Sequence, residues 1–236
     1  MPSEKNSPRI MDAILNCPWF TGIDTADLEV LAGHASVKRY KANEFIYQPG
    51  ERKTHIFCIL EGRIRRSISS SLGQELSLSD QLAGEWIPDA IATERPLHLD
   101  MKAIEATDML AIPRGQMISF ADNHPSIYKH LYLFQAETSR GLLTMLEAIA
   151  HFPLRARLAA RIVHLANDHG NSVEGGTRIP QCLSQNDLAL LSFGSRPRVN
   201  RILKEWTDRG ILTVDNKHYI VNDIEALAHE SEQHYL

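Results

Sequence analysis

The chain has 236 residues, of which 43% are hydrophobic and 23% charged, and its formal net charge is −4. This length suits two domains, and the composition is that of an ordinary soluble globular protein, which excludes a strongly polybasic coat protein. The three cysteines, Cys17, Cys58 and Cys182, lie far apart without CxxC spacing, which argues against a disulfide framework and a cysteine-built metal site. The sequence shows no signal peptide and no membrane-spanning run, so we expect a cytoplasmic protein with no membrane partner.

Residues 1–124 are predicted to form short helices followed by an antiparallel β-roll. Between about residues 37 and 112, short apolar or alternating runs are separated by glycine turns such as Pro49-Gly50 and Leu72-Gly73. Short strands spaced in this way are typical of small antiparallel barrels and rolls. The runs predicted as strands are residues 44–47, 55–60, 64–68, 75–78 and 109–112.

Residues 125–153 are predicted to form a long dimerisation helix that begins after Pro125. Its apolar side chains recur at alternating spacings of three and four, which indicates two helices packed along their length. The predicted seam consists of Ile127, Leu131, Phe134, Thr138, Leu142, Met145, Ile149 and Phe152. The same face could instead cover the roll, and that alternative stays open here.

Residues 154–236 are predicted to form a helix over 155–167, a polar loop over 171–177 and then a helix pair. Ser184 with Asp187 three residues later predicts a capping box at the first helix of the pair. Residues 192–194 form the turn, with Gly194 available for a positive φ. Two short strands, at 211–214 and 218–221, read as a wing, and Asp223 is predicted to cap a last helix.

The second helix of the pair, residues 195–207, carries an apolar stripe on one side and cations on the other. The segment from Arg178 to Arg209 holds six basic and three acidic residues, a surplus of +3 that suits a polyanion. A cationic helix held across a tight turn by a partner helix fits the major groove of double-stranded DNA. The predicted DNA-binding residues are Arg196, Arg201 and Asn200 at base edges, with Arg198, Lys204, Ser184, Gln185 and Ser195 at the backbone. A solvated basic face, or a helix that contacts a protein, is the competing interpretation.

The order of these parts resembles the cyclic-AMP receptor/Fnr family of bacterial transcription regulators. The resemblance spans about residues 18 to 222 and is strongest in SFGSRPRVNRILKEWTDRGIL, with further matches in YQPGE, FCILEGRIR and QLAGEWI. It implies an α+β fold: an N-terminal antiparallel β-roll like the cyclic-nucleotide-binding jelly roll, a long dimerisation helix and a C-terminal winged helix-turn-helix. It also implies a homodimer that reads a palindromic site and works with RNA polymerase, and not an enzyme.

The sequence departs from the family where cyclic nucleotides are held. The family's Gly-Glu-Leu falls on Pro88-Asp89-Ala90, its Arg-Ser-Ala on Leu97-His98-Leu99, and its adenine-contacting hydroxyls on Leu142-Leu143. Without the arginine, a buried phosphate would lack its bidentate cation. We therefore expect a roll that is not gated by a cyclic nucleotide, although Arg95 keeps that alternative open. The expected pocket of Asp89, Leu97, His98, Leu99, Leu142 and Leu143 binds an unidentified effector or none.

Other sensing chemistries find less support in the sequence. Haem-binding relatives use a histidine of the roll, for which His55 and His98, with Cys58, are the candidates. A small-barrel metal-dependent enzyme is the other alternative, but His34, His55 and His98 show no close HxH spacing. We expect no cofactor and no metal. In the recognition helix, Pro197 stands where the family's commonest pattern has Glu, which predicts a different operator.

Overall fold

Antiparallel strands dominate the N-terminal half of the chain. The computed structural model describes residues 7–69, 75–93, 95–96, 99–215 and 218–232. The strands of this half are β1 (Ser36–Tyr40), β2 (Phe45–Tyr47), β3 (His55–Glu61), β4 (Arg63–Ser69), β5 (Glu75–Leu82), β6 (Trp86–Ile87), β7 (Asp100–Ala103) and β8 (Thr107–Pro113). They form two four-stranded sheets, in the orders β1-β8-β3-β6 and β2-β7-β4-β5. The five predicted strand runs are therefore confirmed.

Strand β3 is buried on both faces, and this explains its continuous apolar sequence. Phe57 and Ile59 belong to the apolar cluster inside the roll, whereas Ile56 and Cys58 belong to the cluster under the helices. Successive side chains of a strand point to opposite faces, so one strand serves both clusters.

Short helices cover one side of the roll. These are α1 (Ser7–Leu15), a 3-10 turn (Pro18–Phe20), α2 (Thr25–Gly33), α3 (Asp89–Ala92) and α4 (Arg114–Asn123). Trp19 and Phe20 of the 3-10 turn pack on Trp86 with ring centroids 5.4 and 5.6 Å away. Helix α5 (Ser126–His151) follows with 26 residues, as the sequence predicts.

The chain divides into two compact units, Met1–Ser139 and Arg140–Leu236, and the division falls within α5. The second unit contains α6 (Leu154–His169), β9 (Asn171–Val173), β10 (Gly176–Arg178), α7 (Gln185–Leu191), α8 (Arg196–Asp208), β11 (Leu212–Asp215), β12 (His218–Val221) and α9 (Ile224–Glu232). Its sheet has the order β11-β12-β10-β9. The predicted wing is β11 and β12, and the Asp223 cap is confirmed because its Oδ1 accepts from Ala226 N at 2.8 Å.

The expected loop over 171–177 is wrong, because these residues form the β9–β10 hairpin. Thr177 pairs with Ser172 on one side and with Val221 of β12 on the other. The segment is polar and Val173 is 37% exposed, so it lacks the apolar alternation by which strands are recognised in a sequence. Its pairing partner, β12, lies more than 40 residues further along the chain.

The predicted α+β class is confirmed: an antiparallel roll, a long helix and a winged helix pair follow each other along the chain. Over the residues with described coordinates, no helix is both long and apolar enough to cross a membrane.

Candidate nucleic-acid interface

Helix α7 begins with the capping box that the sequence predicts. Ser184 Oγ accepts a hydrogen bond from Asp187 N at 3.1 Å, and Asp187 Oδ2 accepts from Ser184 N at 2.8 Å. Together these bonds satisfy two amides that the first turn of a helix leaves without partners. The Ser184 hydroxyl also donates to Asp187, and Gln185 is exposed beside it.

The turn between α7 and α8 uses its glycine differently from the prediction. The residue with positive φ is Phe193, at 56°, so the positive φ expected at Gly194 is wrong. Gly194 instead leaves room for a neighbour: a Cβ there would lie 2.4 Å from Leu154 Cδ1, so the Leu154 side chain would have to move. The turn therefore sits directly against the start of α6.

Helix α8 has the two faces that its sequence predicts. Val199, Ile202, Leu203 and Trp206 are all buried, with Val199 and Trp206 fully enclosed. Ser195 occupies the N-cap position with φ −84° and ψ 141°, but its side chain accepts no capping bond. Ser195 therefore caps α8 by its position and not by a side-chain hydrogen bond, and the residue is exposed.

The outer face of α8 presents four cations to solvent. Arg196, Arg198, Arg201 and Lys204 are exposed, and among the described residues none of them takes part in an ion pair or a side-chain hydrogen bond. Asn200 is half-buried, and its Oδ1 is shielded from water without a donor in the described structure. Unpaired guanidiniums can make the two parallel hydrogen bonds that guanine O6 and N7 accept.

A second group of arginines near α8 is engaged within the protein. Arg155 donates to Glu230 at 2.9 Å and also to Glu205, and Arg209 donates to Glu230 at 2.5 Å. The Arg155 guanidinium additionally lies 5.8 Å from the Trp206 ring centroid. These contacts join α6, α8 and α9, so the buried side of α8 is fixed while its outer face stays unoccupied.

The predicted seam on α5 divides into two parts. Ile127 is fully buried in the cluster under the helices, and Leu131 packs on the same cluster. Phe134 meets the Trp19 ring edge-on at 5.6 Å. These three side chains contact their own chain, and for Ile127 the predicted place on the seam is wrong because the core encloses it completely.

The later part of α5 exposes apolar side chains. Leu142, Leu143, Leu146 and Ile149 are 44%, 67%, 58% and 38% exposed. Thr138, Met145 and Phe152 are half-buried, and Thr138 donates to the carbonyl of Phe134. Leu146, which sequence spacing alone did not include, is therefore exposed together with Leu142 and Ile149.

In the roll, Asp89 is already occupied by two cations. Its Oδ2 accepts from Lys53 Nζ at 2.5 Å and from Arg66 Nη2 at 2.7 Å. The Lys53 side chain is only 4% exposed, and those of Arg66 and Asp89 are 19% exposed. Burial lowers the pKa of Lys53, and the Asp89 carboxylate counteracts that effect. Sequence reasoning missed both cations; the one signal was Arg66 at the alternate position between Ile64 and Ile68.

The structure does not place the other residues predicted for the effector pocket beside the cluster of Asp89, Lys53 and Arg66. Leu97 and His98 lie outside the described residues, and Leu99 is half-buried. Leu142 and Leu143 belong to the second compact unit, whereas Asp89 belongs to the first. The predicted effector pocket therefore stays a prediction.

Of the candidates for haem or metal, Cys58 and His55 contact their own chain, His34 is exposed, and His98 lies outside the described residues. Cys58 is buried, and burial raises the pKa of its thiol to about 12, so it is protonated at neutral pH. His55 stacks on Phe57 with centroids 5.9 Å apart and contacts Thr54 Oγ1 at 2.8 Å. Among the described residues, no three His, Cys, Asp or Glu side chains form a group that could hold a metal ion.

A capped helix, a tight turn, a cationic second helix and a β-hairpin wing define a winged helix-turn-helix DNA-binding protein. The Crp-like helix-turn-helix domain profile matches residues 156–230, and the cyclic nucleotide-binding domain profile matches residues 37–124. The chain belongs to the Crp/Fnr family of DNA-binding transcription regulators, and that family consists of regulators rather than enzymes.

Similar proteins cover nearly the whole chain. The CRP-like cAMP-activated global transcriptional regulator of Mycobacterium tuberculosis is 22% identical over 220 residues, covering 92% of this chain and 98% of that protein. The global nitrogen regulator of Synechocystis is 23% identical, covering 82% and 88%. Among solved structures, FixK2 from Bradyrhizobium japonicum is 18% identical with a TM-score of 0.74, covering 82% of this chain and 95% of that one. A CooA mutant from Carboxydothermus hydrogenoformans is 22% identical with a TM-score of 0.73, covering 86% and 90%.

Proposed function

We propose that this regulator acts as a homodimer that reads a palindromic DNA site through α8. The observation that carries the proposal is the exposed set of four cations on α8, all without an ion pair among the described residues. Arg209, another exposed arginine of the same unit, is by contrast paired with Glu230. Cations on α8 that are not paired with the protein's own carboxylates are available to a polyanion.

The placement of each side chain along α8 suggests its role. Arg196 lies at the exposed N-terminal end of the helix and Arg201 lies on the face opposite the buried stripe, so both suit base edges in the major groove, with Asn200 as a further candidate. Arg198 and Lys204 suit phosphates, as do Ser184, Gln185 and Ser195 at the starts of α7 and α8, where helix N-termini favour anions.

Dimerisation through α5 is supported by its exposed apolar side chains. Leu142, Leu146 and Ile149 lie along one face of the helix at spacings of three and four, and each is more than a third exposed.

In this proposal residues 1–124 form the sensor, 125–153 the dimerisation helix and 154–236 the DNA-binding domain. Two-fold symmetry then presents two copies of α8 to half-sites about one helical turn, roughly 34 Å, apart. RNA polymerase is the proposed protein partner, and no step of this role requires catalysis.

The roll is proposed to work without a cyclic nucleotide. Asp89 already accepts hydrogen bonds from the two cations, Lys53 and Arg66, that could otherwise receive a phosphate. A cyclic phosphate would therefore have to compete with this carboxylate for the same donors and would bring its negative charge beside it, which is unfavourable where water is partly excluded. The second candidate function is a cyclic-nucleotide-responsive regulator, which the domain match over residues 37–124 favours.

Two measurements test these proposals separately. Selection from a randomised duplex pool, followed by titration at several salt concentrations, should give a two-fold symmetric site whose affinity falls steeply with salt. A protein that does not bind duplex DNA would instead favour an α8 that contacts another protein.

Calorimetry with cyclic AMP should show no binding and no change in DNA affinity. A stoichiometric complex that alters DNA affinity would favour the second candidate.

A further inference from the structure

Arg157, in the first turns of α6, contacts three backbone carbonyls at once. Its Nε donates to Ser192 O at 3.0 Å, its Nη2 donates to Phe193 O at 3.2 Å, and its Nη1 donates to Phe152 O. Two of these carbonyls belong to the turn between α7 and α8. The third belongs to the residue that follows the last residue of α5. All four residues lie within the second compact unit.

Two of these carbonyls lie at the ends of helices. Ser192 is the C-cap of α7, and Phe152 extends the end of α5, its amide donating to Ala148 O at 3.0 Å. The last carbonyls of a helix have no partner within it, and a cation is favourable beside them. A planar guanidinium can serve several such carbonyls in a fixed geometry, which a single ammonium cannot.

Packing around the same turn leaves it little freedom. Leu154, the first residue of α6, occupies the space that a side chain at position 194 would need. Phe193 holds a positive φ of 56°, an uncommon conformation for a residue that is not glycine, and its carbonyl is one that Arg157 holds. Helix α8 begins at Arg196, three residues beyond Phe193.

We propose that Arg157 is a positioning residue for DNA recognition: it fixes the direction of α8 by joining the end of α5 to the turn that precedes α8. This inference rests on the proposed function, because its consequence is measured as DNA affinity. Arg157 acts through the turn rather than at the DNA, since its guanidinium is already engaged with Ser192, Phe193 and Phe152.

Arg157→Lys tests the proposal because it keeps the charge and removes the three-carbonyl geometry. We expect its affinity for the selected symmetric site to fall about tenfold or more, with the same dependence on salt as the wild-type protein. Amide hydrogen exchange should accelerate at residues 192–195. The matched control is Arg52→Lys, the same change at an exposed arginine of the roll, which should leave affinity and exchange unchanged.

A double-mutant cycle with Arg201→Ala adds a test that mere loss of stability would not satisfy. If Arg157 acts through α8, the two losses should be less than additive. Wild-type affinity in Arg157→Lys would overturn the proposal. The variant Arg157→Gln gives a second result that would overturn it. If the salt dependence of its DNA binding falls by about one phosphate contact while hydrogen exchange is unchanged, Arg157 contacts DNA directly. If the wild-type protein binds no duplex, the proposed function fails instead, and the exchange data alone decide whether Arg157 holds the turn.

Discussion

Arg209 donates a 2.5 Å hydrogen bond to Glu230, which ties the C-terminal end of α8 to α9. Arg155 of α6 donates to the other oxygen of the same carboxylate at 2.9 Å. The Glu230 side chain is only 8% exposed. One buried carboxylate therefore connects three helices behind the face proposed to read DNA.

Replacing Glu230 with Gln should destabilise the second unit. The substitution keeps the shape of the side chain but removes two charge-assisted hydrogen bonds, so we expect a loss of roughly 2–3 kcal/mol in the free energy of unfolding at neutral pH. Urea titration followed by tryptophan fluorescence measures it, with Trp206 reporting on the second unit and Trp19 and Trp86 on the first. Glu225→Gln, an exposed change on the same helix, should cost much less.

The contribution of Glu230 should depend on pH in a defined direction. Burial raises the pKa of Glu230, but the hydrogen bonds from Arg155 and Arg209 outweigh burial, and the pKa lies below the ordinary value of 4.5. Because the pKa is lower in the folded state, this stabilisation is complete above about pH 4.5 and is lost as the pH falls through the folded-state pKa. The difference in unfolding free energy between wild-type and Glu230→Gln should therefore shrink in that acid range. A difference that grows on acidification would contradict the stated direction.

Asp80 should be a second sensitive carboxylate. Arg65 donates to both of its oxygens, at 2.6 and 2.7 Å, and Arg63 donates at 3.0 Å. All three side chains are at most 8% exposed. Asp80→Asn removes the charge that both guanidiniums share, at an expected cost of about 3 kcal/mol measured by urea unfolding. Glu105→Gln, at an exposed carboxylate of the same unit, should change the urea midpoint little. If Glu105→Gln and Asp80→Asn lower the midpoint equally, the ion pairs of Asp80 do not stabilise the fold more than an exposed carboxylate does.

A charged substitution on the exposed apolar face of α5 is predicted to change the oligomeric state. Leu142→Glu should convert the dimer to a monomer at micromolar concentration, because a charge would be buried in an apolar contact. Sedimentation or light scattering measures this. Leu133 is an exposed leucine of the same helix, nine positions earlier and so about half a turn away around the axis. Leu133→Glu should remain dimeric, and a monomer from both variants or from neither would contradict the assigned face.

Apolar periodicity explains how much of this architecture is predictable from the sequence. Strands β3 and β8 and helix α8 have one or two buried faces, so their side-chain patterns indicate both the element and the face. Strand β1 mixes exposed and half-buried residues, and β6 has two residues, so neither carries a pattern long enough to recognise. Phe193, with its positive φ, accepts a hydrogen bond from Arg157 of α6, and no local sequence pattern contains that contact.

The two candidate sites differ in the same way in how far the sequence predicts them. The four cations proposed to contact DNA share the helix α8, so their spacing along the chain is enough to place them together. The cluster around Asp89 brings together a loop residue, Lys53, a strand residue, Arg66, and the start of α3. Their proximity results from the sheet topology, and only Arg66 leaves a trace in the sequence, as a charge on an otherwise apolar strand face.

Lys204→Ala should distinguish a phosphate contact from a base contact. Loss of a phosphate partner weakens binding about equally for all sequences and lowers the salt slope by about one. We therefore expect Lys204→Ala to reduce affinity for the selected site and for unrelated duplex in the same proportion. Fluorescence anisotropy with both duplexes measures this ratio. A loss confined to the selected site would place Lys204 at a base edge instead.

The most direct test of the proposed reading face is the ratio of specific to nonspecific DNA affinity in Arg201→Ala. Losing one bidentate base contact costs about 1–3 kcal/mol, so the ratio should fall about five- to 150-fold, with relaxed preference at one position of each half-site. Arg52→Ala, at an exposed arginine of the roll, should keep the wild-type ratio. If Arg201→Ala keeps both its specific affinity and its half-site preference, α8 does not read DNA through the face described.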